Sequence, residues 1–123
     1  MSTLRVNNIT DASGGSSSLS VPGAAKAWVN FNGTGTVAIR AQMNVSSITD
    51  NAVGEYTVNF TTALADANYS VSGALGFQGF FLALNDNGSG ANSAPTTSAL
   101  KLRTCTSGGT NTDVTYVNVS IFR

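Results

Sequence analysis

Apolar and polar residues alternate along most of this chain with a period of two, which predicts half-buried β-strands. In residues 26–32 the apolar side chains share one face, and Trp28 lies on the opposite face among lysine and asparagine residues. In residues 36–45 the same alternation predicts that Met43 faces the core. Further strands are predicted over residues 56–64, 69–75, 80–84, 100–106 and 113–122, with a helical turn within residues 63–68.

Short segments rich in Gly, Asn and Ser separate these strands. Gly33-Thr34-Gly35 predicts a tight turn, because glycine tolerates positive φ. In the last strand, Val114 and Tyr116 fall on one face and Val117 on the other, so we expect either a bulge or burial on both faces. Many short strands with such turns predict an all-β fold, a small antiparallel β-sandwich or barrel-like knob over residues 24–123.

The first 23 residues differ from the rest of the chain. Leu4, Val6 and Ile9 are apolar residues in a polar segment, and residues 11–20 are a Gly/Ser-rich linker. Pro22-Gly23 then marks the entry into the knob. We therefore expect an extended N-terminal arm that contacts a neighbouring chain or a docking surface. A disordered tail is the alternative.

The composition favours an assembly of several chains. Charged residues make up 10% of the sequence, against about 25% in typical soluble domains, while 41% of the residues are hydrophobic. Hydroxyl and amide groups must therefore provide solubility. Such a surface avoids the cost of desolvating charges when chains pack side by side.

Charge and hydropathy exclude two classes of partner. The net charge is zero, and the nearest approach to a basic cluster is the pair Lys101 and Arg103, which is too little for nucleic-acid binding. The longest apolar run, residues 80–84, is far below the ~20 residues needed to span a membrane. The start of the chain lacks the pattern of a signal peptide, so we expect synthesis in a cytoplasm without general export.

No catalytic, metal or cofactor site is predicted. The chain has no histidine to activate its single cysteine, Cys105, which we expect to be a small apolar group on a strand. The carboxylates fall singly, mostly in turns, although a glycosidase-like pair of Asp50 and Glu55 remains an alternative. Residues 85–88 lack the closing glutamate of a calcium loop and predict a turn.

Residues 24–61, which end in Glu55-Tyr56-Thr57-Val58-Asn59-Phe60-Thr61, resemble a module that recurs in tail-fibre and other fibre-like proteins of bacteriophages, especially marine ones. Residues 4–14 resemble the short leader that often precedes this module. The module usually has a Gly-Thr-Gly turn before Asp/Glu-Tyr-Thr-Val-Asn-Phe, where this chain has Ala52-Val53-Gly54 before Glu55.

The resemblance implies a non-enzymatic virion protein, a homotrimer attached to tail or capsid proteins through its N-terminal arm. The expected attachment and oligomer contacts are Leu4, Val6 and Ile9 in the arm and Trp28 in the knob. Capsid decoration, as in a head fibre, is one alternative. A free-standing lectin-like carbohydrate-binding protein and a polysaccharide depolymerase are others.

A receptor contact is expected at one loop of the knob. Sugars are bound by aromatic rings together with amide and hydroxyl groups, which shallow loops of β-domains supply. Residues 80 and 81 are both phenylalanine and precede a long Asn-rich loop. The candidate contacts with a host-surface glycan are Phe81, Asn85, Asp86, Asn87 and Asn92.

Overall fold

The computed structural model describes residues 2–3, 23–84 and 94–123. These residues form eight β-strands and no helix. The strands are β1 (Ala25–Asn32), β2 (Ala38–Met43), β3 (Val45–Ala52), β4 (Glu55–Phe60), β5 (Ser70–Leu75), β6 (Phe80–Leu84), β7 (Ala99–Thr106) and β8 (Val117–Phe122).

The strands pair antiparallel in two four-stranded sheets, which confirms the prediction of an antiparallel β-sandwich. The first sheet has the order β2-β1-β8-β5 and the second the order β3-β4-β7-β6. The chain crosses between the sheets at both edges, from β2 to β3 and from β5 to β6. Residues 4–22 of the predicted arm lie outside the described residues, and the homotrimer stays a prediction.

The core lies between the two sheets and is formed by alternate residues of the central strands. The inward face predicted for residues 26–32 is confirmed, because Ala27, Val29 and Phe31 are fully buried and Trp28 is not. The Phe31 ring meets the Tyr56 ring edge to face, with the ring centroids 5.2 Å apart. Each such buried side chain contributes about 1.5–3 kcal/mol. The buried cluster consists of Ala27, Val29, Phe31, Val45, Tyr56, Val58, Phe60, Leu100, Leu102, Val114, Val117, Val119 and Ile121.

A β-bulge in β2 overturns the predicted inward position of Met43. Phe31 pairs with Ile39 and Asn30 with Ala41, so Arg40 is an extra residue on β2. One extra residue reverses the alternation of side chains beyond it. Met43 consequently pairs with Trp28 on the outer face of the first sheet.

Asn44 ends the strand that the pattern predicted to continue through residue 45. Its φ is 56°, in the left-handed region that asparagine tolerates better than most residues. Its Nδ2 donates to the carbonyls of Lys26 and Thr62, both at 3.1 Å, and its Oδ1 accepts from Thr62 N at 2.8 Å. The chain turns here into β3, a strand that the apolar pattern did not predict because most of its residues are exposed and polar.

Two further boundaries differ from the prediction. The strand predicted over residues 56–64 ends at Phe60, and Thr62 beyond it is exposed. Residues 63–68 contain bends in place of the predicted helical turn. β8 begins at Val117, after the buried Val114 and the exposed Tyr116. Neither a bulge nor burial on both faces is needed to explain these side chains, because they precede the strand.

A buried hydrogen-bond network closes one end of the sandwich. The Tyr56 hydroxyl lies 2.8 Å from the carbonyl oxygen of Gly33 and 2.9 Å from Asp113 Oδ1, and Asp113 Oδ1 also accepts from Gly54 N at 2.7 Å. A Cβ atom on Gly33 would lie 2.6 Å from the Tyr56 hydroxyl oxygen. Glycine is therefore required for this approach, and the network joins three connections of the sandwich.

Candidate interaction surfaces

Four of the eight large hydrophobic side chains that are exposed among the described residues lie on the outer face of the first sheet. This surface, called here the apolar face, comprises Trp28, Met43, Tyr116 and Phe122, which are 37–50% exposed. None of the four strands of this sheet contains an aspartate or glutamate. The apolar face therefore combines large apolar side chains with a low density of charge.

Strand pairing makes the centre of the apolar face continuous. Trp28 pairs with Met43 of β2 on one side and with Ser120 of β8 on the other. Phe122 is two residues beyond Ser120 on the same face, which places it diagonal to Trp28 and within reach of a large side chain. Two aromatic rings and a thioether thus lie within neighbouring positions of three adjacent strands.

Arg40, the extra residue of the β2 bulge, lies across the edge of this surface. Its guanidinium carbon is 4.2 Å from the centroid of the Tyr116 ring, and its Nη1 donates to Asn30 Oδ1 at 3.3 Å. A cation–π contact of this kind contributes about 0.5–1 kcal/mol at an exposed site. The guanidinium is therefore held by neighbouring side chains of its own sheet.

The outer face of the second sheet is polar and carries one exposed aromatic ring. This polar face is centred on two adjacent rows of residues. In the first row, Phe81 of β6 pairs with Cys105 of β7, and Cys105 forms a β-bridge with Asn111. In the second row, Arg103 of β7 pairs with Ala83 of β6 on one side and with Glu55 of β4 on the other. The Phe81 side chain is 55% exposed. The residues of the two rows are Phe81, Cys105, Asn111, Ala83, Arg103 and Glu55.

Hydrogen bonding at the centre of the polar face is incomplete. Asn111 Nδ2 donates to Glu55 Oε1 at 2.8 Å. Asn111 Oδ1 and Arg103 Nε are buried atoms without a hydrogen-bond partner among the described residues. One atom is an acceptor and the other a donor.

Away from this centre, the polar face satisfies its own hydrogen bonds. Asn59 Nδ2 donates to Ser47 Oγ at 3.1 Å and to Thr49 Oγ1 at 3.0 Å. Asn51 Nδ2 donates to Thr57 Oγ1 at 2.9 Å. The unmet donor and acceptor are therefore a local feature and not a general property of this face.

A groove of about 510 Å³ lies at the end of the sandwich where β1 begins. Arg123 at this groove donates from Nε and Nη2 to the two oxygens of Asp66, at 2.8 and 2.6 Å. These hydrogen bonds lower the pKa of Asp66 to about 2. The lining residues are Lys26, Asn44, Thr62, Ala63, Leu64, Ala65 and Arg123.

A smaller cavity of about 180 Å³ lies where β5 faces β6. A Cβ atom on Gly73 would lie 2.2 Å from Leu82 Cδ2, so the side chain of Leu82 occupies the space that this glycine leaves. The tight packing joins the edges of the two sheets, and this cavity is a packing feature between them.

The structure separates the residues of the alternative enzymatic hypothesis. Asp50 pairs with Tyr56 and Glu55 with Arg103. Since Glu55 and Tyr56 are consecutive in β4, the two carboxylate side chains belong to opposite faces of the second sheet. Cys105 is buried on β7, as expected for a small apolar group, with its thiol 3.8 Å from the carbonyl oxygen of Phe81.

Residues 2–3, 23–84 and 94–123 contain no group of three or more His, Cys, Asp or Glu side chains placed to hold a metal ion. The same part of the chain contains no helix long and apolar enough to cross a membrane.

The structure places two of the predicted contact residues on opposite sides of the sandwich. Trp28 lies on the apolar face and Phe81 on the polar face. The other predicted contacts, Leu4, Val6, Ile9, Asn85, Asp86, Asn87 and Asn92, lie outside the described residues.

Sequence reasoning did not assign Phe122, Met43, Arg103 or Asn111 to these surfaces. In β8 the buried residues are Val117, Val119 and Ile121, so the period of two alone predicts that the next residue, Phe122, faces outward. Met43 could not be assigned in this way, because the bulge in β2 has no apolar signature. Arg103 and Asn111 are brought near each other by strand pairing between distant segments, and the sequence pattern does not predict that pairing.

Comparison of the chain with protein-family models, with curated proteins and with solved structures found no match.

Proposed function

We propose that this chain is a non-enzymatic structural protein of a bacteriophage virion, fibre-like in type, which assembles with copies of itself through the apolar face. Residues 1–23 attach the assembly to other virion proteins of the tail or capsid. The sequence resemblance to fibre modules supports the virion assignment. The observation that carries the assembly is the exposed group of Trp28, Met43 and Phe122 on one outer face.

Large contiguous apolar patches on a protein surface commonly mark protein interfaces. Trp and Met are enriched at such interfaces because they bury large areas and adapt to irregular gaps. In this chain, Trp28 and Phe122 are diagonal neighbours on paired strands. A partner that covers one ring therefore covers the other.

Several properties support a second copy of this chain as the partner. The polar side chains between the rings include Asn30, Ser72, Asn118 and Ser120, and amides and hydroxyls each offer a donor and an acceptor. A surface of such groups is complementary to itself, whereas a surface of one charge sign repels its copy. In the homotrimer that the resemblance implies, each apolar face lies toward the threefold axis and contacts both neighbouring copies through heterologous interfaces, which close the ring.

The point at which the chain enters the knob supports attachment at one end of the assembly. β1 begins at Ala25, and Ala25 pairs with Phe122 at the end of β8. Residues 1–23 therefore join the knob next to the apolar face. An arm leaving at this point has access to a neighbouring copy and to the surface on which the assembly stands.

Light scattering of the purified full-length chain tests the assembly. From about 1 µM to about 100 µM, a range in which weak specific assemblies dissociate, we expect the mass of a trimer that does not change with concentration. The double variant Trp28→Ser, Phe122→Ser should be a folded monomer. A monomeric native chain over the whole range would refute the proposal.

Phe81→Ser is the matched control, because it removes an exposed aromatic ring from the opposite face. This variant should keep the native mass. Equal dissociation of both variants would indicate a general loss of folding and would contradict a specific role for the apolar face.

Deletion of residues 1–20 tests the role of the arm. The strands of the sandwich all lie within residues 25–122, so the shortened chain should remain folded. We expect it to be absent from purified particles when it replaces the full chain during infection. Normal incorporation would refute the assignment of the arm to attachment.

A further inference from the structure

We propose that residues 4–9 of the arm form a short β-strand along the open edge of β5 in their own knob and extend the first sheet to five strands. This inference goes beyond the proposed function, because it assigns a place on the knob to the arm of an unattached chain. Addition of a strand to an exposed sheet edge is a recurring mode of recognition, in which backbone hydrogen bonds give affinity and alternate side chains give specificity.

The two lateral sides of the sandwich differ in how their edge strands are protected. On one side, β2 has a bulge at Arg40, and β3 has two irregularities in its register, one of them next to Asp50. Bulges and charged residues hinder the pairing of an edge strand with another segment. On the other side, β5 and β6 pair in an unbroken register and contain neither a charged residue nor a proline. The side formed by β5 and β6 therefore lacks these protections.

β5 directs backbone hydrogen-bonding groups toward this side. Among the described strands it pairs with β8 alone. Gly76 N donates to Tyr116 O at 2.9 Å, and the same register continues into β5. Since residues of an antiparallel strand alternate between bonded and non-bonded pairs, Val71, Gly73 and Leu75 direct their N–H and C=O groups away from β8. These groups form the ladder that an added strand needs.

The core is incomplete along the same side. Leu84 of β6 pairs with the fully buried Leu102 and so belongs to the inner face, yet it is 45% exposed. Together with Val71, Gly73 and Leu82 it borders the cavity of about 180 Å³ between β5 and β6. Apolar groups of the inner faces therefore remain in contact with water here. A strand beside β5 would direct every second side chain toward this cavity.

The arm has the alternation that such a strand requires. In an extended segment Leu4 and Val6 fall on one face, and Arg5 and Asn7 fall on the other. With Leu4 and Val6 turned toward the cavity, the polar pair continues the outer face of the first sheet, beside the serines of β5. An antiparallel sheet with one face on the core and the other in water has this pattern.

Strand pairing places the start of the knob close to the open edge. Ala25 at the start of β1 pairs with Phe122 of β8, and Phe122 pairs with Ser70 at the start of β5. Neighbouring strands are about 4.8 Å apart, so a strand beside β5 lies about 14 Å from β1. If residues 4–9 run antiparallel to β5, they end at the same end of the sheet where β1 begins.

The length of the connection favours the arm of the same chain over that of a second copy. Residues 10–24 are rich in Gly and Ser, and a flexible segment of this length spans about 20 Å on average. This matches the distance to be covered. A short flexible tether keeps the local concentration of its end at about 1 mM, which exceeds the concentration of free copies in a dilute solution.

Amide hydrogen exchange, followed by nuclear magnetic resonance, tests the inference on the full-length chain. The amides of Val71, Gly73 and Leu75 should exchange at least about tenfold more slowly than in a chain that lacks residues 1–9, as expected when the added strand is present in about nine-tenths of the molecules. The amides of Ser72 and Ala74, which point toward β8, should be equally protected in both chains.

Two pairs of substitutions show which face of the arm is used. Leu4→Ser, Val6→Ser should remove the added protection of the β5 edge. Arg5→Ser, Asn7→Ser is the matched control, because it changes the opposite face of the same segment, and it should keep the protection.

The monomeric variant Trp28→Ser, Phe122→Ser separates this inference from the proposed assembly. Its edge amides should keep their protection, because the arm belongs to the same chain. A native chain that proves to be monomeric would refute the assembly and leave this measurement unaffected.

Three results would overturn the inference. The first is equal exchange of the β5 edge amides in the full-length and shortened chains. The second is unchanged protection in Leu4→Ser, Val6→Ser. The third is loss of protection in the monomeric variant, which would show that another copy covers the edge.

Discussion

Removal of one hydroxyl group, in Tyr56→Phe, tests the network that closes the end of the sandwich. Tyr56 is fully buried, and its hydroxyl, which has one proton to donate, lies 2.8 Å from the carbonyl oxygen of Gly33 and 2.9 Å from Asp113 Oδ1. The substitution keeps the ring and its contact with Phe31. The change therefore removes the hydrogen bond while leaving the packing in place.

At neutral pH the variant should be less stable than the native chain. Gly33 is buried and loses the Tyr56 hydroxyl as a donor to its carbonyl, which costs about 1–3 kcal/mol of the free energy of unfolding. Asp113 Oδ1 still accepts from Gly54 N, so the carboxylate is not left without a partner. We expect a loss of about 2 kcal/mol.

At alkaline pH the difference should become smaller. Burial raises the pKa of Tyr56 well above its ordinary value of 10, and the adjacent carboxylate of Asp113 raises it further. A raised pKa in the folded state means that stability is complete below pH 10 and falls at higher pH, because only the unfolded tyrosine ionises. At pH 11 the native chain should lose about 1.4 kcal/mol through this group, and the variant should lose nothing through it.

Urea unfolding followed by circular dichroism at pH 7 and pH 11 measures both effects. Tyr116→Phe is the matched control at pH 7, since Tyr116 is half-exposed and its hydroxyl has no hydrogen bond within the part of the chain described. The control should match the native stability. A deficit of Tyr56→Phe that is equal or larger at pH 11 would refute the reasoning.

Two further predictions concern the turn at Asn44 and the ion pair at the C-terminus. Asn44→Gly keeps the left-handed backbone but removes three side-chain hydrogen bonds to Lys26 and Thr62, so urea unfolding should show a loss of about 2 kcal/mol. Asn44→Ala should lose about 1–2 kcal/mol more, because alanine disfavours this backbone region, and equal losses would contradict the strain argument. The pKa of Asp66, lowered to about 2 by Arg123, means that stability is present above about pH 4 and is lost as the pH falls toward 2. Thermal unfolding of Asp66→Asn should therefore depend less steeply on pH in this interval, and an unchanged slope would show that the exposed pair contributes nothing.

The period of two was sufficient to predict the class of the fold and the inward faces of the central strands. In β1 and β8 each buried residue alternates with a polar or exposed one, because one face packs on the core and the other does not. Edge strands carry a weaker signal. β3 has one buried residue in eight, and its pattern could not be separated from that of a loop.

The candidate surfaces were predictable only where they follow from alternation within one strand. Trp28 was assigned outward from its strand, whereas Phe81 was chosen because it precedes a long Asn-rich loop, and the structure places both at outer faces. Met43 joins the apolar face through a bulge at Arg40, and Asn111 joins the polar face through a bridge to Cys105. Such placements depend on non-local register, which a single sequence does not specify.

The two outer faces of the sandwich differ in how readily another chain could cover them. The first sheet has no carboxylate in its strands and exposes Trp28 and Phe122, so covering it removes apolar area from water at little electrostatic cost. The second sheet exposes Phe81 beside Arg103 and Glu55, so a protein covering that face would have to provide partners for charged groups and amides as well as apolar contact. We therefore expect assembly to use the first sheet and to leave the second sheet directed outward. Trp28→Ser, Phe122→Ser should accordingly lower the native mass while Phe81→Ser leaves it unchanged, and an equal loss of mass in both variants would show that the two faces do not act independently.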